Sequence, residues 1–287
     1  MNIQLEKKAI ERLKAFEPSK GYYLAYSGGK DSDVIKTLAT LANVKFEAVH
    51  NLTTVDAPET VRYIRSQPDV KIASPEKTMW QLISNKKIPP TRLNRYCCEA
   101  LKECGGKGRL VVTGVRWDES SSRKESSGLI NFLNKPKTTQ KIAELNGAKY
   151  SLSKQGGIIL NDDNDECRRT VEQCYRTGKT LINPIIEWLD NDVWEFLKHY
   201  GIDSNPLYQC GFDRIGCIGC PLASKRKRLA EFKRYPKYKL NYIKAFDRML
   251  LERKKCDLPT DWQSGEEVFK WWMEDDYLQQ QMFEIYE

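Results

Sequence analysis

A strand, a glycine turn and the start of a helix follow one another between residues 22 and 42. Tyr22–Tyr26 is an unbroken aromatic and apolar run, which is typical of a buried strand. Beyond this turn the apolar residues recur at helical spacing, at Val34, Ile35, Leu38, Leu41 and Ala42. Gly28 and Gly29 let a ligand approach the backbone closely, and the first N–H groups of a helix have no internal acceptors. The sequence therefore predicts a strand–loop–helix unit with an anion site at its turn.

The loop Ser27–Ser32 has the chemistry of a polyphosphate site. Lys30 adds a full positive charge to the positive end of the helix dipole. Ser27 and Ser32 supply hydroxyls, and Asp31 is placed to hold Mg²⁺ beside the phosphates. The glycine spacing differs from that of the G-x-x-x-x-G-K-[ST] loop of P-loop NTPases. The alternative is a glycine turn that merely precedes a helix.

The rest of the chain alternates between strands and helices. Further strands are predicted at 45–52, 70–73 and 110–113, and helices at 3–16, 57–65, 78–84, 94–103 and 190–200. This alternation predicts an α/β fold with a doubly wound parallel sheet, whose crevice lies at the carboxyl ends of the strands. We predict a nucleotide domain at 1–225 with an insertion at about 124–182. A helical, cysteine-bearing C-terminal region follows at 226–287, with helices at 225–255 and 265–284.

A second motif, G-x-R-x-x-E-S-x-x-R, begins at Gly114, where a predicted strand ends. Arg116 and Arg123 are suited to holding phosphate or a leaving pyrophosphate, with Glu119 between them to orient a guanidinium. The alternative is a surface ion-pair cluster, which is common and contributes little stability.

Five cysteines form the third feature. Cys97 and Cys98 are adjacent, and Cys217 and Cys220 form a C-x2-C pair with Cys210 upstream. Cytosolic thiols stay reduced, so a disulfide framework is not expected. Four thiolates bind zinc or an iron–sulfur cluster, and spacing alone does not decide between the two or choose four ligands from five candidates. The other cysteines, Cys104, Cys167, Cys174 and Cys256, are interpreted as packing residues.

Charge is unevenly distributed along the chain. The net charge is +8, but residues 257–287 carry −8, so residues 1–256 carry +16. Between Lys225 and Lys239 there are eight basic residues and one acid, interleaved with Phe232, Tyr235 and Tyr238 and followed by Tyr242. This stretch predicts either a surface that tracks a phosphate backbone and stacks bases, or a solvated helix whose aromatic residues pack on the core. No apolar run is long enough to span a membrane and no signal-peptide core is present, so a cytoplasmic protein is expected.

Together these motifs resemble a known family. The S-G-G-x-D-S run at Ser27–Ser32 is similar to the PP-loop of ATP pyrophosphatases, and with the motif at 114–123 it resembles the adenylating branch of the phosphoadenylyl-sulfate reductase-like family. Further similar segments lie at 56–60, 183–188, 192–194 and 205–208. Two features differ from true reductases of that family: Lys30 is present here, and the chain ends at 282–287 without their Glu-Cys-Gly-Leu-His-like tail.

The resemblance implies an adenine nucleotide alpha hydrolase-like fold that binds ATP and Mg²⁺, with a [4Fe–4S] cluster on four of the five cysteines. It implies catalytic roles for Lys30, Asp31 and Arg116. The residues implied to bind the nucleotide are Ser27, Gly28, Gly29, Lys30, Asp31, Ser32, Gly114, Arg116, Glu119 and Arg123. The nearest analogues are the ATP pyrophosphatases of DNA phosphorothioation, which implies a DNA or tRNA acceptor and a cysteine desulfurase as sulfur donor. The alternatives are a sulfonucleotide reductase, a sulfate-adenylating enzyme, and a nucleic-acid-binding accessory protein with a vestigial nucleotide site.

Overall fold

The computed structural model describes residues 2–133, 136–154 and 156–274. Its internal contacts divide the chain into two compact units, each built from separate segments. The first comprises Met1–Asn51, Glu59–Ala73 and Gly105–Ile215, and the second comprises Leu52–Pro58, Ser74–Cys104 and Gly216–Glu287. The domain boundary between residues 225 and 226 stays a prediction.

The first unit is built on one sheet of eight described strands in the order β3-β2-β1-β4-β8-β5-β7-β6. The strands are β1 (Tyr22–Ala25), β2 (Phe46–Asn51), β3 (Val70–Ala73), β4 (Leu110–Val112), β5 (Ile130–Phe132), β6 (Ser151–Leu152), β7 (Ile158–Leu160) and β8 (Thr180–Ile182). The five strands from β3 to β8 in this order are parallel. The other three pair antiparallel, and they come from the segment predicted as an insertion. The α/β fold class is confirmed, with a mixed rather than wholly parallel sheet.

Helices of the first unit cover the sheet, because the central strands are apolar on both faces and must be buried on both. Leu24 and Val112, on neighbouring strands, are fully buried. The helices of the chain are α1 (Ile3–Ala15), α2 (Lys30–Leu41), α3 (Pro58–Arg65), α4 (Met79–Lys86), α5 (Tyr96–Leu101), α6 (Ser121–Ser126), α7 (Pro136–Asn146), α8 (Asp165–Cys174), α9 (Asp190–His199), α10 (Lys225–Arg234), α11 (Pro236–Lys255) and α12 (Gly265–Met273). Short 3-10 turns lie at Trp117–Glu119 and Tyr175–Thr177.

The second unit is helical and contains α4, α5, α10, α11 and α12. Its core is aromatic, with Trp272 fully buried and packed against Phe232, Tyr242 and Phe246. The single helix predicted over 225–255 is wrong, because Pro236 starts a new helix and Tyr235 separates α10 from α11. The predicted closing helix ends at Met273, and its remainder from residue 275 lies outside the described residues. None of the described helices has the length and apolar character that crossing a membrane requires.

Candidate functional site

The glycine loop joins β1 to α2 and is fixed by hydrogen bonds from both sides. Gly28 has a φ of +72°, and a Cβ there would lie 2.8 Å from Ile64 Cγ1, so this position requires glycine. The Ser32 hydroxyl accepts from the Gly29 N–H at 3.1 Å and donates to the Gly29 carbonyl at 2.7 Å. Buried Asn205 donates its amide to the Gly28 carbonyl at 3.0 Å. The loop is therefore shaped before any ligand arrives.

Lys30 is the first residue of α2 and its side chain is buried, with an exposed fraction of 7%. Its Nζ lies 2.5 Å from Asp190 Oδ1, 5.2 Å from the ring of Trp194 and 5.8 Å from the ring of Tyr208. The Tyr208 hydroxyl accepts the Lys30 backbone N–H at 3.0 Å. The ammonium group is thus held at the helix N-terminus by one carboxylate and two aromatic rings.

Arg116 follows β4 and reaches the same place from the neighbouring strand. Its Nε lies 2.7 Å from Asp31 Oδ1 and its Nη2 lies 2.9 Å from Asp190 Oδ1. The arginine is 2% exposed. Gly114 permits this approach, since a Cβ there would lie 2.7 Å from Asp31 Cβ. Arg116 Nη1 also lies 3.6 Å from Asp118 Oδ2. Two cations and three carboxylates therefore form one network beyond the carboxyl ends of β1 and β4.

Asp31 and Asp190, two carboxylates of this network, have opposite pKa shifts. Burial raises the pKa of Asp31 above its usual range, although the charge of Arg116 opposes this. Burial also acts on Asp190, but hydrogen bonds and charges from Lys30 and Arg116 outweigh it and lower the pKa of this carboxyl. Asp190 is therefore a carboxylate at neutral pH, shared by both cations.

The remaining predicted loop and motif residues contribute to different degrees. Ser27 Oγ lies 3.3 Å from Ser32 Oγ, inside the loop. Glu119 accepts the backbone N–H of Arg116 at 3.1 Å, so it positions that residue through its main chain. Arg123 lies in α6, half-buried, and its guanidinium forms no ion pair with any described residue. The structure thus joins Glu119 to the network but not Arg123.

Sequence reasoning missed Asp190, Trp194, Asn205 and Tyr208 as members of this site. All four lie more than 150 positions along the chain from Lys30, so no local pattern links them to the loop. The available signal was the resemblance itself, since Trp194, Asn205 and Tyr208 belong to segments that were matched to the family.

Four of the five candidate cysteines lie in the second unit. Cys97 and Cys98 lie in the first turn of α5, which begins at Tyr96. Cys217 is held by a β-bridge to Asp56 and by a 3.5 Å contact of its Sγ with Thr53 Oγ1. Cys220 follows in the turn after Cys217. Cys210 belongs to the first unit and is exposed.

The four thiols interact with one another. A hydrogen bond with Cys98, burial and the thiols of Cys217 and Cys220 raise the pKa of Cys97. The same hydrogen bond and the neighbouring Arg95 lower the pKa of Cys98 to about 6, against the effect of burial. Burial raises the pKa of Cys217, which the charge of Lys102 opposes. By chemistry this donor set suits a thiolate-bound metal. Among the described residues, however, no three or more His, Cys, Asp or Glu side chains are arranged to hold a metal ion.

Of the cysteines interpreted as packing residues, Cys167 and Cys174 are buried as predicted. The same interpretation is wrong for Cys104 and Cys256, which are exposed. Both follow the last residues of helices α5 and α11, where the chain turns at the surface.

Most aromatic residues of the basic stretch 225–242 pack in the core of the second unit. Phe232, Tyr235 and Tyr242 are buried, and Arg228, 4% exposed, lies 4.1 Å from the ring of Trp272. Half-buried Tyr238 donates its hydroxyl to the Asp56 carbonyl at 2.9 Å. Base stacking on the three buried rings is therefore wrong, because no face of them is open to a base. The other basic residues of this stretch remain at least partly exposed.

A glycine loop at a helix N-terminus, with a buried lysine and arginine beyond the ends of parallel strands, is the arrangement of a phosphate-binding site in an α/β fold. Residues 21–223 match the phosphoadenosine phosphosulfate reductase domain family, and the chain belongs to this family. An uncharacterized protein of Methanocaldococcus jannaschii is 26% identical over 261 residues, covering 85% of this chain. This chain spans about half of that relative, 53% of its length.

Shorter and more distant similarities were also found. The adenosine 5'-phosphosulfate reductase of Allochromatium vinosum is 39% identical over 46 residues, which are 16% of this chain and 18% of that protein. Among solved structures, the phosphoadenylyl-sulfate reductase of Candida auris in a phosphate complex is 15% identical. It matches with a TM-score of 0.44 and covers 75% of this chain and 92% of its own.

Proposed function

We propose that this protein is an iron–sulfur ATP pyrophosphatase, which transfers the adenylyl group of ATP to an acceptor oxygen on nucleic acid and so activates it for sulfur transfer. The observation that carries the proposal is the buried ammonium of Lys30, held 2.5 Å from Asp190 at the N-terminus of α2. A buried cation at a helix N-terminus is suited to the dense negative charge of a triphosphate. Arg116 is bound to the same carboxylate and places a second cation beside Lys30.

In the proposed step the acceptor oxygen attacks the α-phosphorus and forms a new P–O bond. The bond from the α-phosphorus to the oxygen bridging the β-phosphate breaks, and pyrophosphate leaves with the electron pair. A phosphodiester oxygen is already anionic and has no proton to lose. Lys30 and the positive end of the α2 dipole stabilise the charge that develops on pyrophosphate. Arg116 orients the phosphates from the β4 side.

Asp31 would hold Mg²⁺. Its Oδ1 is engaged by Arg116, and its side chain is 28% exposed, which leaves Oδ2 for a cation. Mg²⁺ prefers one or two carboxylates together with substrate phosphates, and it would supply further neutralisation of those phosphates. The donor set at Asp31 therefore fits the ion.

Cys97, Cys98, Cys217 and Cys220 would hold the [4Fe–4S] cluster, and Cys210 is the spare cysteine. The mutual perturbation of the first four thiols supports this choice, as does the position of Cys210 in the other unit. A bound cluster supplies a site for sulfide or for electrons. A cysteine desulfurase is the proposed source of the sulfur.

The proposal is tested by measuring pyrophosphate release from ATP with no acceptor and with DNA, tRNA or sulfate. We expect release to rise with DNA or tRNA and to stay at its basal rate with sulfate. Stimulation by sulfate would instead identify a sulfate-adenylating enzyme. Sulfite formation from a sulfonucleotide and a thiol reductant, with no pyrophosphate from ATP, would identify a reductase.

A further inference from the structure

The second unit carries an open groove that the proposed chemistry does not use. It lies between α4 and α11 and has a volume of about 450 Å³. Its lining residues are Trp80, Asn241, Lys244, Asp247 and Arg248. One aromatic ring, one amide, two cations and one carboxylate thus face the same space.

The polar residues of the groove continue along α11 as a stripe, here called the α11 stripe. It consists of Lys237, Asn241, Lys244 and Arg248, which are all exposed. Their spacings of four, three and four residues put them on one face of the helix. At 1.5 Å per residue the stripe is ~16 Å long, comparable to about five stacked nucleotides at 3.4 Å each.

The cations of the α11 stripe are not neutralised by their surroundings. Lys237, Lys244 and Arg248 form no ion pair with any residue in the part of the chain that the structure describes. Asp247 is the acid of the groove, and its Oδ1 accepts the Gly265 N–H at 2.6 Å, at the start of α12. The stripe therefore presents three positive charges to a ligand, with the one carboxylate of Asp247 beside them.

Trp80 provides a rigid aromatic surface beside this charge. Its ring packs edge-on against Tyr242, with centroids 5.0 Å apart, and Tyr242 is itself 1% exposed. The Trp80 ring remains half-buried and lines the groove. Single-stranded nucleic acids bind where a basic track accompanies an aromatic ring on which a base can stack.

We propose that the α11 stripe and Trp80 bind single-stranded nucleic acid, with successive phosphates along Lys237, Lys244 and Arg248 and one base stacked on Trp80. This inference rests on the proposed function, because it names the surface that holds the nucleic-acid acceptor. It also replaces the stacking first predicted for Phe232, Tyr235, Tyr238 and Tyr242, of which Tyr238 is half-buried and the other three are buried.

The test uses fluorescence anisotropy of labelled oligo-dT and oligo-rU with the full chain, across a series of salt concentrations. Each phosphate contact on a single strand contributes about −0.7 to the slope of log affinity against log salt. The double variant Lys244→Gln/Arg248→Gln should therefore reduce the magnitude of the slope by about 1.4. Its matched control is Lys137→Gln/Lys141→Gln, an exposed pair with the same spacing on α7, which should keep the wild-type slope.

A second variant tests the stacking. Trp80→Ala should weaken oligonucleotide binding by about 5- to 150-fold, the range for loss of one base–aromatic stack, and Trp80→Phe should restore most of it. Melting curves of both variants show whether the fold is retained, and Trp80→Phe keeps the test valid if Trp80→Ala unfolds. The inference is overturned if the lysine–arginine variant keeps the wild-type salt slope, or if Trp80→Phe binds no better than a folded Trp80→Ala.

The same experiments separate this inference from the proposed function. Wild-type protein that binds oligonucleotides through the α11 stripe but releases no pyrophosphate from ATP would support the surface and contradict the adenylation. Protein that releases pyrophosphate, but binds oligonucleotides equally well in all variants, would contradict the surface alone. Preference for duplex DNA over both single strands would also contradict it, because a paired base cannot stack on Trp80.

Discussion

The two charged regions of this protein differ in how their cations are neutralised. At the glycine loop, Lys30 and Arg116 are buried and both bind Asp190. On the α11 stripe the cations are exposed, and no described residue pairs with them. A buried charge needs a fixed partner because it has lost its water, whereas an exposed charge keeps its hydration.

This difference separates two ways of recognising phosphate. The loop cations are held in one geometry, so they suit a small ligand whose phosphates must be placed precisely for reaction. The exposed cations suit a long flexible polyanion, whose binding depends on counterion release and so on salt. The cysteines form a third case, in which like groups meet. Their contacts raise the pKa of Cys97, whereas the hydrogen bond with Cys97 and the charge of Arg95 lower the pKa of Cys98.

The largest effect is expected at Lys30. In the proposed reaction Lys30→Ala removes the charge that faces the leaving pyrophosphate, so pyrophosphate release should fall by about 100- to 1,000-fold. The matched control is Lys36→Ala on the same helix, where the lysine pairs with Asp69 at 2.8 Å, away from the loop. Equal rates in the two variants would remove Lys30 from the catalytic machinery.

Substitutions of the cysteines are expected to differ in how much iron the protein loses. Protein purified without oxygen should contain about four iron and four acid-labile sulfide per chain. Cys220→Ser should lose most of this iron, because a cubane needs four ligands, whereas Cys210→Ser should keep it. Stoichiometric zinc without sulfide, or iron loss on changing Cys210, would contradict the proposed ligand set.

A smaller effect is expected at the carboxylate that pairs the loop cations. Asp190→Asn removes a negative charge beside the triphosphate, so ATP should bind more tightly, while looser orientation of Lys30 should lower kcat about 10-fold. Both constants are obtained from pyrophosphate release against ATP concentration. Glu195→Gln, an exposed acid on the same helix, serves as the control. Weaker ATP binding with unchanged kcat would show that Asp190 does not position Lys30.

The smallest effect concerns Asp33, a buried acid of α2. Asp31 forms a close ion pair with Arg116, whereas Asp33 is bound by tyrosine hydroxyls. Burial raises the pKa of Asp33 to about 7, although hydrogen bonds from Tyr26 and Tyr63 oppose this. Between pH 4 and 7 the unfolded chain has lost this proton while the folded chain retains it, so stability falls as pH rises through that window. The melting temperature of Asp33→Asn should therefore fall less from pH 5 to pH 8 than that of the wild type.

The control for this prediction is Asp213→Asn, at an exposed position, which should keep the wild-type pH dependence. If the melting temperature of Asp33→Asn falls from pH 5 to pH 8 by as much as that of the wild type, Asp33 is ionised throughout this range.

Local patterns predicted those parts of the fold that depend on local sequence. The strand at Tyr22 and the helix after the loop were predicted within one or two residues, because apolar periodicity marks their buried faces. The antiparallel strands β5–β7 were not predicted, because two- and three-residue strands are too short to show a period.

Long-range arrangement could not be predicted in the same way. Asp190 meets Lys30 only because the fold brings α9 to the loop, and Arg228 is buried although a run of basic residues normally stays in solvent. Both depend on tertiary packing. Which group each charged side chain pairs with is therefore the property that is hardest to predict from sequence.

The central claim is that ATP is cleaved between its α- and β-phosphates. It is tested most directly by incubating the protein with ATP labelled in either the α- or the γ-phosphate and separating the products. We expect the γ-label in pyrophosphate and the α-label in AMP or on a nucleic-acid acceptor, and we expect Lys30→Ala to form neither product at the wild-type rate. Release of the γ-label as inorganic phosphate, with the α-label retained in ADP, would contradict it.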